Sequence, residues 1–127
     1  MSEKKNFNTT KAPRMSQVFP QAVIADKFIF LSGTPGYDLQ TGQVISDNFE
    51  EQTRQCFRNI QIILEEAGSS MSKIVKTTIF MVTGNDFGVI NKVYSEFFPD
   101  NPPARSTPQV MPFPLGILIS VECIALL

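Results

Sequence analysis

Histidine is absent from the chain. Its absence excludes Ser-His-Asp and Cys-His triads, imidazole proton shuttles and nearly all catalytic zinc sites. Catalysis, if any, falls to Arg, Glu, Asp, Lys, Tyr, hydroxyls, backbone groups and water. Cysteine is scarce too: Cys56 and Cys123 are far apart and each occupies an apolar periodic position, so both are expected as buried free thiols. No charge prevails, since the formal net charge is −1 and the sequence pI is ≈ 5.4. A nucleic-acid partner, which needs a basic face, is not expected. No apolar run is long. Leu115 to Leu127 is broken by Gly116, Ser120 and Glu122 and falls short of the roughly 20 residues of a membrane span. The polar stretch Met1 to Lys11 lacks the apolar region of a signal peptide. No membrane partner is expected, and the cytoplasm is the default location.

The remaining composition, 43% hydrophobic and 18% charged, describes a globular chain. One domain over residues 1–127 is expected, with residues 1–11 as a flexible lead-in. Gln17 to Ile24 reads as an edge strand or bend because Pro20 lies inside it. Asp26-Lys27 reads as a tight turn. Phe28 to Leu31 reads as a compact buried strand ending at Ser32-Gly33, and Gly33 to Gly42 as a loop. Ser46-Asp47-Asn48 offers a helix N-cap. Phe49, Thr53, Cys56, Phe57, Ile60, Ile63, Leu64 and Ala67 then follow helical spacing as far as Gly68. Lys73 to Val82 reads as a strand. A second helix starts at Gly84-Asn85-Asp86, with Phe87, Ile90, Val93, Tyr94, Phe97 and Phe98 on its apolar face, and stops at Pro99. Arg105 to Val110, broken by prolines, and Leu115 to Leu127 complete a β-β-α-β-α-β-β order. The order predicts an α+β fold with both helices on one face of a sheet. The opposite face, with Phe28 or Ile29, Thr78, Leu118, Ser120 and Glu122, needs another cover, and self-association is the expected one.

Two residues carry the strongest chemical signals. Arg105 follows Pro102-Pro103, which stiffen the backbone before it, and a planar fork on a fixed base suits bidentate capture of a carboxylate. Glu122 is the only charge in the final apolar run, where Leu118, Ser120, Glu122 and Ile124 alternate with an apolar set. It is either a residue of a solvated face or an acid/base in a dry crevice. Ser32 and Gly33 end a strand, where hydroxyl and N–H groups are available to a ligand or simply make a turn. Asn91 lies on the second helix as a surface polar residue.

Taken in order, several segments resemble the Rid (reactive intermediate deaminase) or YjgF family. They are Phe30-Leu31-Ser32-Gly33, Gln52-Thr53-Arg54, Asn59-Ile60, Glu66-Ala67-Gly68 and Ile74 to Thr78. Asn85-Asp86-Phe87, Asn91 to Tyr94, Phe97-Phe98, Pro103 to Ser106 and Val121 to Ala125 continue the series. The resemblance runs from about Ala12 to Leu126. It implies a chorismate-mutase-like α+β fold and a homotrimer whose sheets form a central barrel with interface clefts. It also implies hydrolysis of 2-imino or 2-enamino carboxylates to 2-keto acids and ammonia, without cofactor or metal. By the same resemblance, Arg105 holds the substrate carboxylate and Glu122 assists water. Ser32, Gly33, Phe19, Asn91 and Thr107 line the pocket. Two departures stand out. Gln17-Val18-Phe19 replaces the Gly-Pro-Tyr of the best-known members, and Thr107 stands where many have cysteine. Phe19-Pro20 with Pro112-Phe113-Pro114 is closer to the branch that includes 2-aminomuconate deaminase. A larger enamine acid is therefore an alternative substrate, and a non-enzymatic ligand-binding or chaperone-like role is a further alternative.

Overall fold

The computed structural model describes residues 3–127, so Met1 and Ser2 of the expected lead-in lie outside the described residues. Seven strands and two helices follow the chain: β1 (Lys4–Phe7), β2 (Ala22–Ala25), β3 (Phe28–Pro35), α1 (Phe49–Glu66), β4 (Ile74–Val82), α2 (Phe87–Phe97), β5 (Ala104–Ser106), β6 (Gln109–Val110) and β7 (Ile119–Leu126). One mixed sheet has the order β1-β2-β3-β7-β4-β5, with β6 also on β4. Pairings of β4 with β5 and β6 are parallel, and the others are antiparallel. The expected α+β layering is present.

Local chemistry sets the helices. The Asn48 side chain accepts from the Glu51 backbone N–H at 2.9 Å, satisfying one of the free donors of the first turn. After α1, Gly68 adopts φ +91°, which suits a residue without Cβ and turns the chain away. Thr53, Cys56, Phe57, Ile60, Ile63 and Leu64 bury one stripe of α1. That stripe lies over Ile29, Leu31, Ile119, Val121 and Cys123 of the sheet. Asp86 caps α2 by accepting from the Gly88 N–H at 2.8 Å. Between the helices Phe57 packs against Tyr94, Phe97 and Phe98, with ring centroids 5.7, 5.5 and 5.9 Å away. Truncating so central a ring to alanine costs about 3–5 kcal/mol.

Four expectations need correction. Lys4–Phe7 is not a loose lead-in but an edge strand, paired Lys4↔Ala25 to Phe7↔Ala22. Its polarity is what an exposed edge requires. β2 is therefore internal, and Pro20 precedes it rather than interrupting it. β3 runs on to Pro35 through a bulge, and only its alternate residues Ile29 and Leu31 are buried, while Phe28 and Phe30 are exposed. Leu115 to Leu118 are not strand: Leu115 and Gly116 take φ +64° and +76° in a turn before β7. Both cysteines are buried and free. Among the described residues no helix is long and apolar enough to cross a membrane.

Candidate active site

The bulge is where the site begins. Leu31 pairs with Cys123 and Thr34 with Val121, so Ser32 and Gly33 together oppose the single residue Glu122. Two residues against one is the signature of a β-bulge, which locally re-aims the strand. On its other side Glu122 pairs with Thr78 of β4, and Thr78 pairs with Ser106 of β5. A single transverse row thus runs Ser32-Gly33, Glu122, Thr78, Ser106, with Arg105 and Thr107 flanking its last member. Residues far apart in sequence are aligned by register alone.

The row does not put all its members on one side. Glu122 is exposed on the face that the helices leave open, in a depression of ≈ 240 Å³ lined by Phe30, Lys76, Thr78 and Ile124. Lys76 Nζ donates to Ser106 Oγ at 3.0 Å on the same side. Arg105 pairs with Thr77, one residue before Thr78, and Thr77 is fully buried beneath α2. Successive strand residues point to opposite faces, so Arg105 emerges on the helix side. Its Nε donates to Thr107 Oγ1 at 2.7 Å. The guanidinium lies 4.8 Å from the Tyr94 ring centre and 5.6 Å from that of Phe87. Among the described residues it has no carboxylate partner, so its terminal N–H groups are open to an anion. Asn91 is exposed on α2, one turn on from Phe87, on the stripe that passes Arg105.

At the other end of the row, Ser32 Oγ donates to the Pro20 carbonyl at 2.8 Å. Ser32 N–H donates to the Gln21 carbonyl at 3.0 Å. These bonds seat the segment before β2 against β3 and make Phe19, Ser32 and Gly33 neighbours in a cleft with Pro13, Met15 and Tyr37. Buried Asn59 holds the floor, its amide donating to the carbonyls of Pro35 and Tyr37 at 3.2 and 3.0 Å. With its hydrogen committed to Pro20, the Ser32 oxygen can still accept one from a ligand N–H.

A single chain therefore brings together Arg105 with Thr107, and separately Phe19 with Ser32 and Gly33. Glu122 lies between the two groups on the open face. Strands are spaced about 4.8 Å apart, so β3 and β5, three strands apart, are separated by roughly 14 Å. Sequence reasoning missed Lys76, Ser106 and the ring pair under Arg105. An aromatic at Phe87 carried a signal only once its exposure was known.

A family model described as Endoribonuclease L-PSP matches residues 9–127. Reactive Intermediate Deaminase A, chloroplastic, of Arabidopsis thaliana is 41% identical over 125 residues, covering 98% of this chain and 67% of that protein. A 2-iminobutanoate/2-iminopropanoate deaminase of Rattus norvegicus is 38% identical over 122 residues, covering 96% and 89%. Among solved structures, E. coli TdcF with bound serine is similar at a TM-score of 0.89 and 32% identity, covering 97% of this chain and 98% of that one.

Proposed function

Because this chain belongs to the Rid/YjgF family, we propose that it hydrolyses 2-imino and 2-enamino carboxylates to 2-keto acids and ammonia. The observation that carries this reading is the open guanidinium of Arg105, half-buried and without a carboxylate partner among the described residues. A bidentate pair with the substrate carboxylate is worth roughly 1.5–3 kcal/mol. The 2-imino carboxylate class agrees with the names of the plant and rat relatives.

Water adds to C2 as the C=N π pair moves to nitrogen, and the Glu122 carboxylate takes the proton that water loses. Glu122 returns that proton to nitrogen, giving a carbinolamine. The remaining hydroxyl proton then passes through the carboxylate to nitrogen as the C–N bond breaks, its electron pair leaves with ammonia and C2 becomes a ketone. An enamine first tautomerises to the imine, its β-carbon taking a proton from solvent as the nitrogen gives one up. One water is consumed and nothing is oxidised or reduced. Positioned proton transfer of this kind contributes about 10²–10⁴ in rate. The Ser32 oxygen accepts from the substrate N–H, while Gly33, Phe19, Asn91 and Thr107 shape the pocket.

In this reading the site is completed between copies of the chain, with the open face of one trimer member meeting the next. The apolar character of that face, with Phe28, Phe30 and Leu126 exposed, supports self-association. A larger enamine acid is a second reading, carried by the departures at Phe19-Pro20 and Pro112-Phe113-Pro114. The test is keto-acid formation from 2-iminopropanoate generated in situ, in parallel with 2-aminomuconate. Arg105→Ala is expected to lose about 10²-fold in kcat/KM, on the scale of a charged hydrogen-bonded pair. Equal rates for the variant and the unmodified chain would sink the reading.

A further inference from the structure

Phe87, expected on the apolar face of α2, is 43% exposed. Its neighbour accounts for it. The Arg105 guanidinium carbon lies 5.6 Å from the Phe87 ring centre and 4.8 Å from that of Tyr94. Tyr94 is buried, and its hydroxyl shares a 2.8 Å hydrogen bond with Thr77 Oγ1. Thr77 is fully buried and is the residue that pairs with Arg105 on β4. One threonine thus ties down both the strand position that carries Arg105 and the ring beneath its head.

This arrangement differs in kind from an ion pair. A protein carboxylate would neutralise the guanidinium and occupy the N–H groups in its plane. An aromatic face attracts the cation through the ring quadrupole and leaves those donors free. Thr107 takes only Nε.

We propose that Phe87 and Tyr94 are positioning residues, an aromatic cradle that holds the Arg105 guanidinium in place and aimed at the substrate carboxylate, with Thr77 latching Tyr94 in place. The proposal rests on the reading of Arg105 as the carboxylate-binding residue. Neither ring touches the substrate in this role. Both act through the arginine.

The experiment is a set of double-mutant cycles in the full chain, with 2-iminopropanoate generated in situ as substrate. Tyr94→Leu and Phe87→Leu are each measured alone and combined with Arg105→Ala, and thermal melting reports stability separately. Tyr94→Leu is expected to raise KM about tenfold, within the range for a partly desolvated cation–π contact, with a smaller change in kcat. Phe87→Leu, at an exposed position, is expected to raise KM about threefold. Tyr94→Phe keeps the ring but loses the latch to Thr77, and its KM is expected to fall between those of Tyr94→Leu and the unmodified chain. In the Arg105→Ala background neither ring variant should lower kcat/KM further. Equal losses in both backgrounds, or an unchanged KM in folded Tyr94→Leu, would overturn the cradle. Should Tyr94→Leu fail to fold, the Phe87→Leu cycle decides by the same criterion. An unchanged kcat/KM in Arg105→Ala alone would instead remove the carboxylate reading, a result distinct from failure of the cradle.

Discussion

A Cβ placed on Gly33 would lie 2.9 Å from the Ser120 hydroxyl oxygen across the β3–β7 pairing. The obstacle is the end of a small side chain that can rotate away, so Gly33→Ala is expected to cost less than about 1 kcal/mol in stability. The displaced hydroxyl sits beside the bulge that faces Glu122, however. Misplacement of a positioning group by a fraction of an ångström to 1 Å costs about tenfold to a hundredfold in rate. Turnover of 2-iminopropanoate should fall about tenfold while the melting temperature barely moves, and Ser120→Ala in the same chain should restore it. A large stability loss, or turnover unaffected by the substitution, would contradict this account of the bulge.

Gly36 gives the opposite balance. A Cβ there would collide with the backbone of Gln52, including its Cα at 2.9 Å. Gln52 cannot step aside, because its side chain is fully buried. Its amide donates to the carbonyls of Ser46 and Gly116, and its carbonyl accepts from Leu118 N–H. Gly36→Ala is expected to destabilise by about 2–3 kcal/mol, seen as a lowered midpoint in urea with an unchanged slope. An unaffected midpoint would show that the loop yields where α1 does not.

How far the sequence foretold this molecule differs between its parts. α1 was legible because capping by Asn48, the buried stripe and the stop at Gly68 are all local signals. Strand alternation correctly sorted Glu122 from Val121 and Cys123 within β7. Alternation does not give the phase of one strand against another, however. That Arg105 pairs with Thr77 rather than Thr78, and so leaves the sheet on the side away from Glu122, is a fact of register. The bulge at Ser32-Gly33 is equally nonlocal. β1 escaped notice because an edge strand can be built from Lys4, Lys5 and Asn6 when a neighbour supplies the backbone partners. Phe87 reads as packing because helical spacing does not say what lies over a helix end.

The open face yields a prediction about assembly. Phe28 and Phe30, with ring centres 6.3 Å apart, lie opposite Leu126 and Ile124 on the open face, and Phe30 lines the depression that holds Glu122. Light scattering is expected to give the mass of three chains. Phe30→Glu introduces a like charge near Glu122 into that surface and should yield single chains that remain folded by circular dichroism. Because the proposed site is completed between copies, those chains should lose activity. Active single chains would defeat the interface site, though not the fold.

Stability at high pH follows from the two thiols. Burial pushes the Cys123 thiol up to about 12, with the Glu122 charge adding to the rise. Burial also drives Cys56 upward. In the unfolded chain a thiol ionises near 8.5. For a group whose folded pKa is raised, the native state holds its proton more tightly. Its stabilising contribution is complete below about 8.5 and is lost as pH climbs toward the folded value. At pH 10 the unfolded state gains about 2 kcal/mol from each ionised thiol, from roughly 1.5 units at 1.36 kcal/mol each. Tyr94, raised by burial, extends the decline beyond about pH 10. Unfolding midpoints in urea should therefore stay level to about pH 8 and fall steadily above it. Cys123→Ala should start lower, having lost packing, but fall less steeply. Parallel declines for the unmodified chain and for Cys56→Ala with Cys123→Ala would place the alkaline loss elsewhere than in the buried thiols.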